Sequence, residues 1–144
     1  MDFFALLGGF AAFAFLLAAA WYVLQVVAYW RIFTKAGKPG WHSIIPFLNI
    51  YDQFDLSWRG LWGLVFLGLT LAVSLLTPNN VPADGMAPLV WVLSLTLLII
   101  EIVGLYKLSK AFGHGVPFTL GLIFLSPFFM LYLGFGGDVY LGKQ

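Results

Sequence analysis

The sequence predicts an all-α integral membrane protein with four transmembrane helices plus an amphipathic interfacial helix between the first and the second. Hydrophobic residues make up 62% of the 144 residues and charged residues only 9%, whereas soluble proteins carry about 25% charged residues. The mean hydropathy is +0.97. Because 7 basic and 6 acidic side chains cannot cover so apolar a chain in water, we expect a single membrane domain over residues 1–144.

Composition also excludes several classes of partner and chemistry. The formal net charge is +1, which is too small and too scattered to predict a nucleic-acid partner. The chain has no cysteine, so disulfides, thiolate metal sites and cysteine nucleophiles are excluded. We expect no cofactor.

The first predicted span covers residues 3–30, which carry no formal charge. This run is longer than a hydrocarbon core of ~30 Å requires at ~1.5 Å per residue. Tyr29 and Trp30 at its end, followed by Arg31, are typical of a membrane interface with a basic stop. A cleaved signal peptide has a basic start and a shorter apolar core, so the acidic Asp2 and the length of the run predict a retained helix.

Three further apolar runs predict spans at residues 61–77, 89–108 and 118–133. The segment 78–88 holds three prolines, two asparagines and one glycine, which predicts a loop. The fourth run is short and contains Pro127, so we expect a kinked or partly broken helix there. The glycine-rich tail after it is too short for another element.

Residues 39–58 predict the interfacial helix. Pro39 suits the first turn of a helix, and Pro46 breaks or bends it. Beyond Pro46 the apolar side chains recur at helical spacing on one stripe, which favours an amphipathic helix lying at the cytoplasmic interface. A re-entrant hairpin is the alternative, but it requires that protein shields any non-helical backbone from lipid. The stripe consists of Phe47, Ile50, Tyr51, Phe54 and Trp58.

The basic residues predict the orientation of the chain. The connection between the first two spans holds four of them and the connection between the last two spans holds two, whereas the opposite side has only Lys143. Basic residues collect on the cytoplasmic side of membrane proteins, so we expect a multi-pass protein of the cell membrane with both termini extracytoplasmic. The six residues assigned to the cytoplasm are Arg31, Lys35, Lys38, Arg59, Lys107 and Lys110.

Two polar stretches are weakly similar to each other. Residues 36–47 and 112–129 each contain a glycine, a basic or imidazole side chain, a proline–glycine turn, an aromatic residue and an apolar run with a proline. An internal repeat is one explanation, and chance similarity between apolar sequences is the other.

Two motifs resemble those of a known family. The pattern W-x-I-F-x-K-A-G-x-P-G-W-x-x-I-I-P-F-x-N-x-Y at Trp30–Tyr51, the first motif, resembles the hallmark of an uncharacterised family of small bacterial membrane proteins. The pattern L-x-K-A-F-G-x-G-x-P-F-x-L-G-L at Leu108–Leu122, the second motif, and L-G-F-G at Leu133–Gly136 are similar to the same family. The resemblance implies a four-helix domain of the bacterial inner membrane without an established activity, and some members carry signal-peptidase-like labels.

The residues themselves do not support a signal peptidase. A serine–lysine peptidase needs its nucleophile and base near the outer membrane surface, in an extracytoplasmic catalytic domain. Here Ser109 with Lys107 or Lys110, and Ser43 with Lys38, are all predicted in the cytoplasm. Adjacent Ser109 and Lys110 would also point to different faces of a helix. The sequence therefore predicts a protein that is not an enzyme.

Glu101 lies inside the third predicted span, about two helical turns before Lys107. An ionisable side chain inside a membrane is costly and predicts a functional site. Gln25 lies at similar depth on the first span, so the two residues are candidates for an intramembrane polar site that would bind a proton, a cation or an amine. The alternative is a structural carboxylate that locks two helices or reaches solvent. Further candidate members are Tyr29, Tyr106, Asn49 and Arg59.

A second candidate site combines residues of the two motifs at the cytoplasmic interface. Its histidines and aspartates could ligate a metal, but no H-x-x-x-H or H-x-H spacing supports that role, and no metal site is predicted. Its basic residues could bind anionic lipid, although orientation alone also explains them. The candidates are Lys38, Trp41, His42, Asn49, Tyr51, Asp52, Asp55, Arg59, Lys110 and His114.

Two functions remain after these exclusions. The favoured one is a non-enzymatic membrane module that binds a lipid or another membrane protein through its cytoplasmic-face motifs, with self-association as a further option. The alternative is a small transporter or channel subunit that uses Glu101 and Gln25. Four short spans leave little room for a pathway, so this version would require an oligomer.

Overall fold

A computed structural model describes residues 2–144, and within that range it contains α-helices, two short 3-10 helices and no strand. The prediction of an all-α fold is confirmed. The 3-10 helices are Gly40–Ser43 and Pro78–Asn80. The α-helices are α1 (Phe3–Lys35), α2 (Pro46–Ser57), α3 (Gly60–Leu76), α4 (Ala87–Ala111), α5 (Val116–Phe124) and α6 (Ser126–Phe135).

Two helices, α1 with 33 residues and α4 with 25, are long and apolar enough to cross a membrane. α3 is apolar, but its 17 residues reach only about 26 Å. The run predicted as a fourth span, residues 118–133, is not one helix, because Leu125 has a non-helical backbone and separates α5 from α6. These two helices reach about 14 and 15 Å. The break that Pro127 led us to expect is present, and a fourth transmembrane helix is not confirmed.

α5 and α6 form a helical hairpin that packs against α1 and α4. α6 runs parallel to the C-terminal part of α1. Gln25 Nε2 donates to the Pro127 carbonyl at 3.3 Å near the start of α6, and Arg31 Nε donates to the Gly134 carbonyl at 2.9 Å near its end. Because α5 begins close to the end of α4, the hairpin enters and leaves the bundle at the same end.

Residues 40–57 form another hairpin, which we call the first hairpin because it precedes α5 and α6 in the chain. In it the 3-10 helix runs back along α1 and α2 returns. Its tip at residues 44–46 lies beside Tyr22 and Gln25 of α1. Gln25 is about 9 Å before Arg31 along that helix. α2 then packs against α3 and α4. Each of the two hairpins therefore reaches partway along the bundle from one end.

The two long helices end in the same way before each hairpin. The N–H groups of Lys38 and His114 each donate to the carbonyl five residues earlier, at 2.8 and 2.9 Å, which is the longer bond of a Schellman motif. Gly37 and Gly113 have φ of +76° and +82°, a conformation that glycine adopts without strain. The weak repeat in the sequence thus corresponds to two similar helix ends followed by two hairpins.

The tail, residues 136–144, folds over the end of the bundle. Lys35 Nζ donates to the Gly136 carbonyl at 2.9 Å, and the Leu141 N–H donates to the Ala111 carbonyl at 2.7 Å. The tail therefore lies at the C-terminal end of α1, while Asp2 lies at its other end, about 50 Å away. Asp2 and the tail thus lie at opposite ends of α1, whereas the sequence predicted both termini on one side.

The buried core lies beneath the tail, where the hairpins meet the C-terminal ends of α1 and α4. This packing buries mainly aliphatic side chains, which provide most of the stabilisation expected of a helical core. The core residues are Ile32, Phe33, Leu56, Leu105, Leu108, Ala111, Phe112, Leu122, Met130 and Leu133.

Candidate functional site

Four of the residues predicted at the interface meet in one polar cluster. Lys38 Nζ lies 2.5 Å from Asp55 Oδ2 and 3.6 Å from Asp52 Oδ1. His42 Nδ1 lies 2.5 Å from Asp52 Oδ2, and Lys143 Nζ of the tail lies 2.8 Å from Asp55 Oδ1. The polar cluster, which consists of these five residues, connects the end of α1, the first hairpin and the tail.

The geometry of α2 explains why the two carboxylates converge. Asp52 and Asp55 are three residues apart on this helix and therefore share one face. That face lies against Lys38, which follows the end of α1. Asp55 Oδ1 also accepts the Gly60 N–H at 3.1 Å, so it satisfies one of the free amides at the start of α3.

Charge pairing shifts the pKa values in the polar cluster. Burial alone would raise the pKa of Asp55, but the hydrogen bonds and charges of Lys143 and Lys38 outweigh burial and lower this pKa to about 2. Burial would lower the pKa of Lys38, but the hydrogen bonds and charges of Asp55 and Asp52 outweigh it and raise this pKa. Because its charges are compensated internally, the polar cluster suits a structural role better than the binding of a charged ligand.

His114 belongs to a separate pair. Its Nε2 lies 2.8 Å from Asp138 Oδ2 of the tail, and its ring stacks on Phe118 with centroids 4.0 Å apart. His42 and His114 therefore have different partners. Within residues 2–144, no group of three or more histidine or acidic side chains could hold a metal ion.

Two predicted aromatic residues also lie away from any common site. Trp41 packs edge-on against His42, with ring centroids 4.2 Å apart, and half of its side chain is exposed. The Tyr51 ring lies close against Gly60, where a Cβ would come within 2.5 Å of it. Tyr51 therefore packs α2 against the start of α3.

Three predicted basic residues lie outside the ion pairs. Within residues 2–144 the pairs involve Lys38, His42, His114 and Lys143 with aspartates, and not Arg59, Lys107 or Lys110. Lys110 Nζ lies 5.5 Å from the centroid of the Tyr106 ring, which is within cation–π distance. The three side chains are available to anionic groups outside the chain.

The structure does not bring Glu101 and Gln25 together. α1 packs against α6 and the first hairpin rather than against α4. Glu101 is exposed and lines a pocket with Gln53 of α2, whereas Gln25 faces the tip of the first hairpin. The single intramembrane site that the sequence suggested is two separate places in the structure.

Gln25 lines a pocket of about 210 Å³ between α1 and the tip of the first hairpin, the α1–α2 pocket. Its polar lining consists of Tyr22, Gln25, Tyr29, Ser43 and Asn49. Asn49 Nδ2 donates to the Ser43 carbonyl at 3.1 Å. Ser43 is only 6% exposed, and its hydroxyl has no hydrogen-bond partner within residues 2–144. Such a hydroxyl costs about 1–3 kcal/mol, which a hydrogen-bonding ligand would recover.

The start of α2 lies beside the α1–α2 pocket, because Pro46 and Asn49 contribute to its lining. No side chain caps this helix, and its first residue is Pro46, so the N–H groups of Phe47 and Leu48 lack partners within the helix. The positive end of the helix dipole lies at the same place. Together with the hydroxyls of Tyr22 and Ser43, these donors suit a ligand with acceptor oxygens, such as an ester, a carboxylate or a phosphate.

Sequence reasoning missed two parts of this arrangement. Ser43 entered the sequence analysis only as a candidate protease nucleophile. Its hydroxyl directly precedes the apolar segment Ile44–Phe47, and this position is a signal for a polar contact. The tail was expected to form no further helix, and it forms none, but its contacts with the bundle were not predicted. Its charged and aromatic residues, Asp138, Tyr140 and Lys143, were the available signal, because a plain glycine-rich linker would lack them.

Fold and surface together define the class of protein. It is all-helical, has two helices long and apolar enough to cross a membrane, and exposes large apolar side chains along most of α1. These features favour a membrane protein. The chain belongs to a family of unknown function, DUF5684, whose model matches residues 41–143. Membership of an uncharacterised family is thereby confirmed. No curated protein and no solved structure was found to match the chain.

Proposed function

We propose that this protein is a non-enzymatic membrane module that binds a phospholipid through the α1–α2 pocket. The observation that carries the proposal is the buried and unpartnered hydroxyl of Ser43, which lies among the polar side chains of that pocket. The glycerol ester and phosphate oxygens of a phospholipid are acceptors, and the hydroxyls of Tyr22, Tyr29 and Ser43 in the pocket can donate to them. One polar pocket in an otherwise apolar surrounding is typical of a small-molecule site.

The surface of α1 supports a lipid as the ligand. Phe10 and Phe15 are 71% and 72% exposed, and an apolar surface of this extent is not stable in water. The α1–α2 pocket lies about 9 Å before Arg31 along α1. If Arg31 marks the headgroup level, this depth corresponds to the border between headgroups and hydrocarbon, where the ester groups of a phospholipid lie.

We assign the basic end of the bundle to the cytoplasm by the positive-inside rule. In this orientation α1, α3 and α4 cross the cell membrane, which would be the inner membrane of a bacterium. Both hairpins enter from the cytoplasmic side and return, so the N-terminus is outside and the tail is inside. For residues 39–58 the re-entrant alternative suits the packing better than the interfacial one, because α1, α3 and α4 shield the hairpin as non-helical backbone in a membrane requires.

The two other classes of function receive less support. Glu101 and Gln25 line different pockets, which gives no support to a transport pathway that uses both residues. For an enzyme, a serine nucleophile would need a base, yet the Ser109 hydroxyl donates to the Gly115 carbonyl at 3.0 Å and Ser43 has no partner. We therefore propose neither a catalytic activity nor a nucleic-acid partner.

The test is native mass spectrometry of the protein released from nanodiscs of phosphatidylethanolamine and phosphatidylglycerol. We expect the protein to retain phospholipid. Ser43→Ala and Tyr22→Phe should each weaken retention about 3–10-fold, because each removes one hydrogen bond of ~0.5–1.5 kcal/mol. The same spectra would detect a second membrane protein or a second copy bound to the exposed part of α1.

Ser94→Ala is the matched control, because it removes an exposed hydroxyl from α4, away from the α1–α2 pocket. It should leave retention unchanged. Without lipid, the buried Ser43 hydroxyl has no hydrogen-bond partner within residues 2–144 and costs stability. In the absence of lipid, Ser43→Ala should therefore unfold at the same temperature as the unaltered protein or at a higher one. Retention by Ser43→Ala equal to that of the unaltered protein would contradict the proposal, as would an unaltered protein that retains no lipid.

A further inference from the structure

Glu101 is an exposed carboxylate on a helix whose neighbouring surface is apolar. The ion pairs within residues 2–144 do not include it. It lies about 9 Å before Lys107 along α4, so it is deeper in the bundle than the unpaired basic side chains. A carboxylate in such a position is costly unless a cation or a hydrogen-bond donor meets it.

Glu101 lines a pocket between α2, α3 and α4, the α4 pocket, with a volume of about 230 Å³. Gln53 of α2 contributes an amide to the same pocket. The rings of Phe54 and Phe66 form much of its apolar wall, with centroids 5.4 Å apart. Gly104 allows this arrangement, because a Cβ there would come within 2.8 Å of the Phe54 ring.

The chemistry of this lining is that of a site for a cation. An ionised carboxylate only accepts hydrogen bonds, and a glutamine side chain can turn its oxygen toward a donor. The faces of the phenylalanine rings carry negative potential, which attracts ammonium groups. The hydroxyl of Ser57, also in the lining, donates to the Gln53 carbonyl at 2.7 Å and is not free to donate to Glu101.

The size and surroundings of the α4 pocket indicate an organic cation rather than a metal ion. One carboxylate and one amide are too few oxygen ligands for a calcium or magnesium ion. A second groove, lined by Leu98, Ile102 and Ile123, continues from the other side of Glu101. An apolar chain attached to the cation could lie in this groove.

We propose that the α4 pocket binds the ammonium group of a cationic amphiphile, with its charge at Glu101 and its apolar chain along α4. This site is distinct from the α1–α2 pocket, and it offers acceptors where that pocket offers donors. The proposal does not depend on phospholipid binding.

The test compares dodecyltrimethylammonium with dodecanol, which has the same chain without the charge. Each is titrated calorimetrically into protein in phosphatidylcholine nanodiscs, and partition into empty nanodiscs is subtracted. We expect the ammonium compound to bind at least tenfold more tightly than the alcohol. Glu101→Gln should abolish this preference, and Phe66→Leu should reduce it about 3–10-fold by removing one ring face.

Asp84→Asn is the matched control, because Asp84 is an exposed carboxylate in the loop before α4. It removes the same charge without altering the α4 pocket, and it should retain the full preference. Equal loss in both variants would mean attraction by net charge alone and would overturn the proposal. No preference in the unaltered protein, or full preference in Glu101→Gln, would overturn it as well.

A second measurement uses only the unaltered protein and covers the case of a variant that does not fold. Hydrophobic carbodiimides label carboxyl groups inside membranes, and peptide mapping locates the label. Dodecyltrimethylammonium should slow the labelling of Glu101 severalfold, whereas dodecanol should not. Equal labelling rates with the two compounds would overturn the proposal.

Discussion

Asp55 contacts three parts of the chain that are far apart in the sequence. Its carboxylate accepts from Lys38 after α1, from the Gly60 N–H at the start of α3, and from Lys143 in the tail. Each contact is between charged groups or involves a charged acceptor, and such hydrogen bonds are stronger than neutral ones. Because it joins these segments, we regard Asp55 as the central structural residue of the polar cluster.

Asp55→Asn should lower the free energy of unfolding by roughly 1–2 kcal/mol, since a fifth of the side chain is exposed and solvent screens part of the pairing. The pKa of Asp55 is about 2 in the folded protein, below its ordinary value of 3.8. The stabilisation is therefore complete above pH 4 and disappears as the pH falls through 2. Thermal unfolding of both proteins in nanodiscs, from neutral to strongly acidic pH, measures this difference.

Asp84→Asn is the control for the loss of a carboxylate and should unfold like the unaltered protein at neutral pH. A difference between Asp55→Asn and the unaltered protein that stays constant down to the lowest pH would show that ion pairing does not cause it.

At the residue scale, part of the site could be predicted. Lys38, His42, Asp52 and Asp55 are polar residues close together in an apolar sequence, so their grouping was visible. Lys143 could not be assigned to Asp55, because no periodic pattern connects a tail with a helix 88 residues earlier. Ser43 was visible in the sequence as a polar residue, but its burial without a partner was not, because that is a property of packing.

Among the elements, α1 and α6 bring their backbones into direct contact. A Cβ at Gly134 would lie 2.6 Å from the Ala28 carbonyl oxygen and 2.7 Å from the Ala28 Cα, so backbone meets backbone there. This approach also lets the side chain of Arg31 reach the Gly134 carbonyl. Small residues at helix contacts are the usual basis of packing in membranes.

Gly134→Ala should therefore separate α6 from α1 and lower the free energy of unfolding by about 1–3 kcal/mol. Gly68→Ala is the control, because nothing lies within 4 Å of a Cβ at that position of α3, and alanine is favoured in helices by up to ~1 kcal/mol. Thermal unfolding in nanodiscs should place Gly134→Ala below the unaltered protein and Gly68→Ala level with it or above. The reverse order would exclude the tight α1–α6 contact.

The helices could be predicted only in part from the sequence. Three predicted spans correspond to helices, because a long apolar run is itself the signal for a membrane helix. They are residues 3–30 in α1, 61–77 in α3, which ends one residue earlier, and 89–108 in α4. Residues 118–133 read as one more such run. The break at Leu125 was not visible, since a leucine between apolar helices carries no turn signal, and Pro127 indicated only that a break was near. The run forms a hairpin because α5 packs against α4 and α6 packs against α1. Its apolar composition does not show this.

The whole molecule is built from two similar units. In each, a long helix ends at a lysine, an alanine and a left-handed glycine, and a hairpin with a proline near the start of its second helix follows. Pro46 and Pro127 occupy these positions in α2 and α6. The first unit continues into α3 and the second into the tail. This correspondence supports the repeat interpretation of residues 36–47 and 112–129.

For the whole molecule, we propose that the chain crosses the membrane three times and enters it twice from one side. Since the protein has no cysteine, single cysteines at Asp2, Asn80 and Gln144 can report on sidedness. A membrane-impermeant maleimide should label Asp2→Cys and Asn80→Cys from one side of oriented vesicles and Gln144→Cys from the other. Labelling of Gln144→Cys from the same side as Asp2→Cys would mean that α5 and α6 cross the membrane as a fourth span, which would contradict a chain that crosses three times.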